Sequence, residues 1–347
     1  MDNHETEQRK SEHLDIVLHQ KVTSHQITNG LERYRFRHEA LPEINFSHID
    51  IGTKFLNKTL LAPFAVSSMT GGTDSALYIN QNLALAAQER GWAMGLGSVR
   101  AALEHPEVAE TFRIRKYAPD ILLFANLGAV QLNYGYGVDE CKQIIDLTEA
   151  DALILHLNSL QEVFQPEGNT NFQHLFSRIE ALCSALDVPV GVKEVGWGIH
   201  GELATRLYSI GVAFIDVAGA GGTSWSQVEK YRSPDNQIRH AAEAFTEWGI
   251  PTSDCIIDVR KHAPHQHLIA SGGINTGVEG AKSLALGADL VGIGRSLLHN
   301  ASSASTPDTL ISQLKRIEWE LKVAMFGIGC KDIPSLKGTN RIALIHP

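Results

Sequence analysis

A chain of 347 residues, 43% hydrophobic and 20% charged, is long enough to bury a large core and too apolar to be read as disordered. Its 39 acidic and 30 basic residues leave a net charge of −9 with no basic block, which argues against nucleic acid as a partner. No apolar run reaches the length of a membrane span, residues 1–13 are too polar for a signal peptide, and the four scattered cysteines (Cys141, Cys183, Cys255, Cys330) form no metal or disulfide pattern, so a reducing, cytoplasmic setting away from any membrane is expected.

In chain order, residues 1–50 read as a polar N-terminal arm and 51–347 as one domain. The domain carries eight short apolar runs at 60–66, 93–97, 121–128, 152–157, 189–195, 213–219, 267–273 and 288–294. These runs are continuous rather than alternating, as expected of strands buried on both faces of a parallel sheet. Between them lie stretches with helical spacing, at 80–91, 105–118, 172–186 and 277–288, with Pro106 in the first turn of the second. Residues 301–305 read as a short loop, and a long final helix with a short cap follows from about Thr306. Strand and helix in eightfold alternation predict an α/β fold, a TIM (β/α)8 barrel with an N-terminal extension and a C-terminal helix.

Barrel active sites form at the carboxyl ends of the strands, and that rule sorts the polar residues. The strand ends read SSMTGGT, GSVR, NLG, HLNSLQE, then Lys193 within VGVKEVG, then AGAGGTSW, SGGINTG and GIGR. The last three loops are glycine-rich, so their backbone N–H groups can approach an anion, and a helix starting near Thr276 adds its N-terminal dipole. None is a Walker loop or a GxGxxG after a first strand. Three such loops on consecutive strands point to a phosphate-bearing cofactor. Lys193 within a buried strand needs an acceptor or counter-charge. An ion pair with Glu194, a Schiff base and a partnership with an electron-rich cofactor ring all remain open, although adjacent strand residues face opposite ways. His262, His265 and His267 read as surface-loop residues, since no ligand spacing supports them as a metal site.

RKSEHL, SSMTGG, GSVR, HLNSLQE, GVKEVGWG, AGAGGTSW and SGGINTG, in this order from Arg9 to Gly294, together resemble the type 2 isopentenyl-diphosphate isomerases, FMN-dependent barrel enzymes. The resemblance implies interconversion of isopentenyl and dimethylallyl diphosphates by a 1,3-allylic proton shift on reduced FMN, with NADPH as reductant, Mg²⁺ on the diphosphate, and a homo-tetramer or octamer. It places FMN against Ser68, Met69, Thr70, Ser98, Asn126, Lys193, Thr223, Gly272, Gly273, Asn275, Gly294 and Arg295. The diphosphate would meet Arg9, Lys10, His13, Ser98, Arg100, His156 and Asn158, with Gln161 beside the allylic end and Glu162 on the metal. Gln161, Lys193 and Glu229 are the implied catalytic residues, and Trp225 matches a position near the flavin. Gln161 is expected to position rather than donate a proton, because an amide is not an acid near neutral pH. Two departures from the family pattern, Ala218 for a serine and Asn275 for an arginine, imply weaker FMN binding, with Arg295 as the compensating charge. The competing reading is an FMN-dependent oxidoreductase of the hydroxy-acid oxidase or dihydroorotate dehydrogenase type. An oxidase acting on a hydroxy acid would place a histidine base on the later strands, where this chain carries Thr, Ser and Gly.

Overall fold

The computed structural model describes residues 3–303 and 306–345. Eight parallel strands close into a barrel: β1 (Phe64–Val66), β2 (Ala93–Gly95), β3 (Leu123–Gly128), β4 (Ala152–Leu157), β5 (Val190–Glu194), β6 (Phe214–Asp216), β7 (His267–Ala270) and β8 (Leu290–Ile293). Each pairs with its sequence neighbour, and β8 closes on β1 with Val291 opposite Phe64. All eight apolar runs therefore contain a barrel strand, shorter than the run itself except at 152–157, where the two coincide.

The barrel interior alternates small and aromatic side chains. Ala65, Ala93 and Ala152 leave room for Phe124 and Phe214, whose rings lie 5.2 Å apart. Gly191 is required by the same packing, since a Cβ there would fall 2.2 Å from the Phe214 ring. The amino-terminal end is plugged by an antiparallel hairpin, Thr53–Phe55 with Lys58–Leu60, which drives Phe55 against Phe214. The run 60–66 hides this hairpin because its turn, Leu56–Asn57, has no glycine although Leu56 adopts φ 51°. His267 is likewise no loop residue: it opens β7 and its ring packs 4.9 Å from that of Phe55.

Two other expectations change. Residues 105–118 form no α-helix but two 3₁₀ segments, Pro106–Phe112 and Arg115–Tyr117. The Thr111 hydroxyl donates to the Val108 carbonyl and accepts from Gly72 N–H, a side-chain competition that tightens the turn. Of the loop expected at 301–305, residues 301–303 belong to the helix Arg295–Ser303 and the last two lie outside the described residues. The long final helix spans Asp308–Phe326 and packs on the helices Asp74–Arg90 and Gly277–Ala285. Beyond it, Ile342–Leu344 pairs with Tyr34–Phe36 and ties the end of the chain to the segment after the arm. The three fully or nearly buried cysteines, Cys141, Cys255 and Cys330, and the half-buried Cys183 are all free. Among the described residues no helix is long and apolar enough to cross a membrane.

The arm itself is the helix α1 (Asn3–His19), followed by irregular chain with short 3₁₀ turns at Leu31–Arg33 and Phe46–His48 and the strand Tyr34–Phe36. It lies across the carboxyl end of the barrel, against the helices Trp225–Arg232 and Arg295–Ser303.

Candidate active site

One cavity of about 610 Å³ opens at the carboxyl ends of the strands beneath α1. Every residue expected at the FMN, diphosphate or metal from the sequence lines it; Glu229 sits just behind the wall. Four neighbourhoods make up the cavity.

The first is a cation cluster. Arg9 and Lys10 from the arm meet Arg100 from the β2 end. The Lys10 Nζ is buried with no hydrogen-bond partner and lies 5.2 Å from the centre of the Phe112 ring. Burial first, and then Arg9 and Arg100, lower its pKa to about 7. The glycines of MTGG create this niche. A Cβ on Gly71 would meet the Phe112 ring at 2.1 Å, and one on Gly72, at φ 83°, would sit 2.7 Å from Lys10 Nζ. Glu104, at 3.6 Å from Arg100, and Glu167, at 3.7 Å from Arg9, offset part of the charge.

The second is the cluster that follows β4. His156 Nδ1 lies 2.8 Å from Asn126 Oδ1, so the ring donates there. Burial, reinforced by Lys193 and Arg100, holds its pKa at about 3, and the ring is neutral with a lone pair at Nε2. The positive charge at this end of the cavity comes from Arg9, Lys10 and Arg100. Asn158 Nδ2 donates to Glu162 Oε1 at 2.8 Å, and Asn169 N–H donates to Glu162 Oε2 at 2.5 Å. Asn158 Oδ1 is buried and unsatisfied. An orphan carbonyl oxygen beside a carboxylate suits a divalent cation that also draws oxygens from a bound ligand. The described residues hold no cluster of three or more His, Cys, Asp or Glu.

Third is a buried ionic network behind the wall. Glu229 is fully buried; its Oε1 accepts from Gln161 Nε2 at 3.1 Å and pairs with His13 Nε2 at 2.8 Å, while its Oε2 accepts from Arg232 Nη1 at 2.7 Å. Burial pushes this carboxyl up, but His13 and Arg232 outweigh it and hold the pKa at about 2. Arg232 also reaches Glu12 at 3.0 Å and Glu167 at 3.2 Å, linking arm, β4 loop and helix Trp225–Arg232. The His13 ring stands edge-on to Trp225, 5.3 Å between centres. Sequence reasoning missed Arg232, although its i,i+3 spacing from Glu229 on one helix was available as a signal.

Last comes a glycine cradle. Gly272 (φ 109°) and Gly273 (φ 72°) pack backbone to backbone on the β6 loop, where added Cβ atoms would fall 2.1 Å from Gly219 O and 2.4 Å from Gly221 O. The buried hydroxyls of Ser67, Ser68 and Ser296 have no partner, Ser296 lying at the start of the helix Arg295–Ser303. Unsatisfied donors, open glycine backbone and a helix N-terminus fit a phosphate-bearing cofactor. Lys193 lies at the cavity floor, its Nζ donating to the Glu194 backbone carbonyl rather than to that carboxylate. The Glu194 carboxylate instead accepts from the backbone N–H groups of Val195, Gly196 and Trp197. Asp216, the register partner of Lys193 on β6, is buried and accepts from Ser271 Oγ at 2.6 Å; burial raises its pKa, and Lys193 and that hydrogen bond only partly oppose the rise. A carboxylate inside the apolar run AFIDVAG carries the same signal that singled out Lys193.

Three expected contributors behave differently from a simple phosphate cup. Asn275 turns its amide back onto the Gly273 carbonyl at 2.9 Å. Ala218 occupies φ 37°, a conformation strained for any residue with a Cβ. Arg295 lines the cavity, but its guanidinium donates to Val17 O and Gln20 O of the arm, so the expected compensating charge is committed elsewhere. No histidine from β5 to β8 lines the cavity.

The description of the FMN-dependent dehydrogenase family matches residues 148–342. The isopentenyl-diphosphate delta-isomerase of Oceanobacillus iheyensis is 53% identical, over 97% of this chain and 96% of its own length. That of a Nostoc species is 51% identical over 97% and 95%. Among solved structures, a mandelate oxidase with (S)-2-phenylpropionate aligns at TM-score 0.66 and 18% identity, covering 98% of this chain and 97% of the other. A flavocytochrome b2 mutant with pyruvate bound aligns at TM-score 0.70 and 16% identity, covering 96% and 82%. These structures share the fold.

Proposed function

Since the chain belongs to the FMN-dependent isopentenyl-diphosphate delta-isomerase family, we propose how its own residues divide the work of that reaction. It interconverts isopentenyl and dimethylallyl diphosphates, moving a proton across an allylic unit with no net redox change. Arg9, Lys10 and Arg100 take the diphosphate, as their convergence around an unpartnered Lys10 ammonium supports. Glu162 and the unsatisfied Asn158 Oδ1 hold Mg²⁺ jointly with the diphosphate oxygens. The Ser68, Ser296, Gly272, Gly273 and Gly294 region holds the FMN ribityl and phosphate groups, and Lys193 meets the electron-accepting edge of the ring. NADPH serves as reductant, and the working form is a cytoplasmic homo-oligomer, a tetramer or octamer.

Protonating an alkene creates tertiary carbocation character, so the site must favour positive charge near the substrate and exclude water. When bound, reduced FMN supplies an electron-rich ring for that charge and a group able to exchange protons. The protein positions the reactants. Gln161, fixed by Glu229, orients the allylic end. Glu229 stays ionised at neutral pH, so its role is to hold Gln161 and His13 in place rather than to carry the transferred proton. His156 is spent on Asn126 and orders that wall as a neutral ring. The 1–50 arm closes the site from above, completing a binding surface that the 51–347 barrel only half forms.

The single observation that carries the reading is the buried Lys10 Nζ, without a hydrogen-bond partner, lining the cavity with Arg9 and Arg100. The test is an anaerobic incubation of the purified chain with FMN, NADPH, Mg²⁺ and isopentenyl diphosphate. Dimethylallyl diphosphate should form without stoichiometric NADPH loss. Absence of product, with NADPH consumed against an added acceptor, would favour an oxidoreductase instead.

A further inference from the structure

Arg295 stands at the mouth of β8, directly after GIG and beside the unsatisfied Ser296 hydroxyl, where a phosphate-binding arginine would be expected. Its guanidinium does something else. Nε donates to Val17 O at 2.9 Å and Nη2 donates to Gln20 O at 3.1 Å. Both carbonyls belong to the last turn of α1 and the residue after it, where a helix leaves acceptors unsatisfied and its dipole favours a cation. Among the described residues no carboxylate forms an ion pair with Arg295.

The surrounding contacts fix the same end of the arm. Val22 O accepts from Ser224 N–H at 2.7 Å, and Thr23 bridges to Thr223. Glu247 gathers the next loop, accepting from His25 N–H at 2.8 Å and Ile27 N–H at 2.9 Å. Val22 and Glu247 hold the chain after the helix; Arg295 is the group that holds the helix end itself. Arg9, Lys10 and His13 lie one to two turns further toward the N-terminus, so a tilt at residues 17–20 is carried to them as displacement. With about 1.5 Å of rise per residue, Lys10 lies roughly 10 Å along the axis from Val17.

We infer that Arg295 is a positioning residue for the substrate arm: it locks the α1 C-terminus to the mouth of β8 and thereby governs diphosphate affinity, while the flavin phosphate is left to backbone N–H groups and Ser296. This rests on the reading of the arm as a diphosphate-binding element.

The test uses the full chain with Arg295→Met and, in case that variant folds poorly, Arg295→Lys. Lysine keeps the charge but lacks the planar fork, so it should fall between wild type and methionine. FMN affinity is read by flavin fluorescence titration. Arm anchoring is read by trypsin cleavage at Arg9, Lys10 and Lys21 in the FMN-loaded protein. KM and kcat are measured with isopentenyl diphosphate. For Arg295→Met the expected result is arm cleavage several-fold faster and KM raised about tenfold, the equivalent of one to two net hydrogen bonds. FMN affinity should stay within about twofold, and kcat within about threefold. A tenfold loss of FMN affinity overturns the inference, whatever happens to the arm, and so does an unchanged cleavage rate. If wild type does not turn over this substrate, the functional reading fails, while cleavage and FMN titration still decide the role of Arg295.

Discussion

Lys10 offers a direct measurement of the diphosphate site through protons. Its pKa lies at about 7 against an ordinary 10.5, with burial the main cause and Arg9 and Arg100 adding to it. At pH 7, therefore, about half the molecules present a neutral amine, and at pH 8 about nine-tenths do. A bound diphosphate supplies the counter-charge the niche lacks and restores the ammonium. Binding should then take up about half a proton at pH 7 and about 0.9 at pH 8, and affinity should fall about fivefold between them. The ceiling on this coupling, a return to the ordinary value of 10.5, corresponds to roughly 5 kcal/mol. The assay is calorimetric titration of the FMN-loaded protein with inorganic pyrophosphate and Mg²⁺, in two buffers of different ionisation enthalpy at each pH. Protonation of the pyrophosphate itself is common to wild type and Lys10→Met, so the difference between the two isolates Lys10. Equal proton uptake in both proteins would refute the reasoning and put the buried charge elsewhere.

Glu229→Gln removes a carboxylate whose folded-state pKa, about 2, lies below its ordinary 4.5. Such a group stabilises the fold fully above about pH 4.5 and progressively less as pH falls toward 2, so the variant should lose roughly 3 kcal/mol at pH 7 and less than half of that at pH 3, measured by denaturant unfolding; a loss independent of pH would count against the network. Gln161→Ala should lower kcat by about a hundredfold with KM little changed, because a positioning contact acts mainly in the transition state, and steady-state kinetics showing full turnover would sink that role. Asn275→Arg should tighten FMN about fivefold by fluorescence titration, since the present amide only folds back on Gly273; unchanged affinity would mean that this loop does not face the phosphate.

Much of this protein was legible in one dimension. A buried parallel strand must be apolar on both faces and a barrel needs eight of them, so the runs from 60–66 to 288–294 declared the fold without any tertiary contact. The strand-end rule then assembled HLNSLQE, SSMTGG and the late glycine loops on one face, and the cavity indeed gathers them. What stayed hidden depends on direction and depth, which spacing does not encode. The hairpin plug has no glycine turn to announce it, and only the barrel interior explains why Phe55 must enter. Asp216 is set beside Lys193 by the β5–β6 register, a long-range pairing. Arg295 sits in a phosphate-like motif, yet its guanidinium donates to the arm, some 280 residues earlier in the chain, where the helix end leaves carbonyls unsatisfied. Sequence determined which residues meet at the mouth of the barrel. Tertiary packing decided which of them are charged, which are already bonded, and which remain free to hold a ligand, since burial and partner choice arise only when distant segments are brought together.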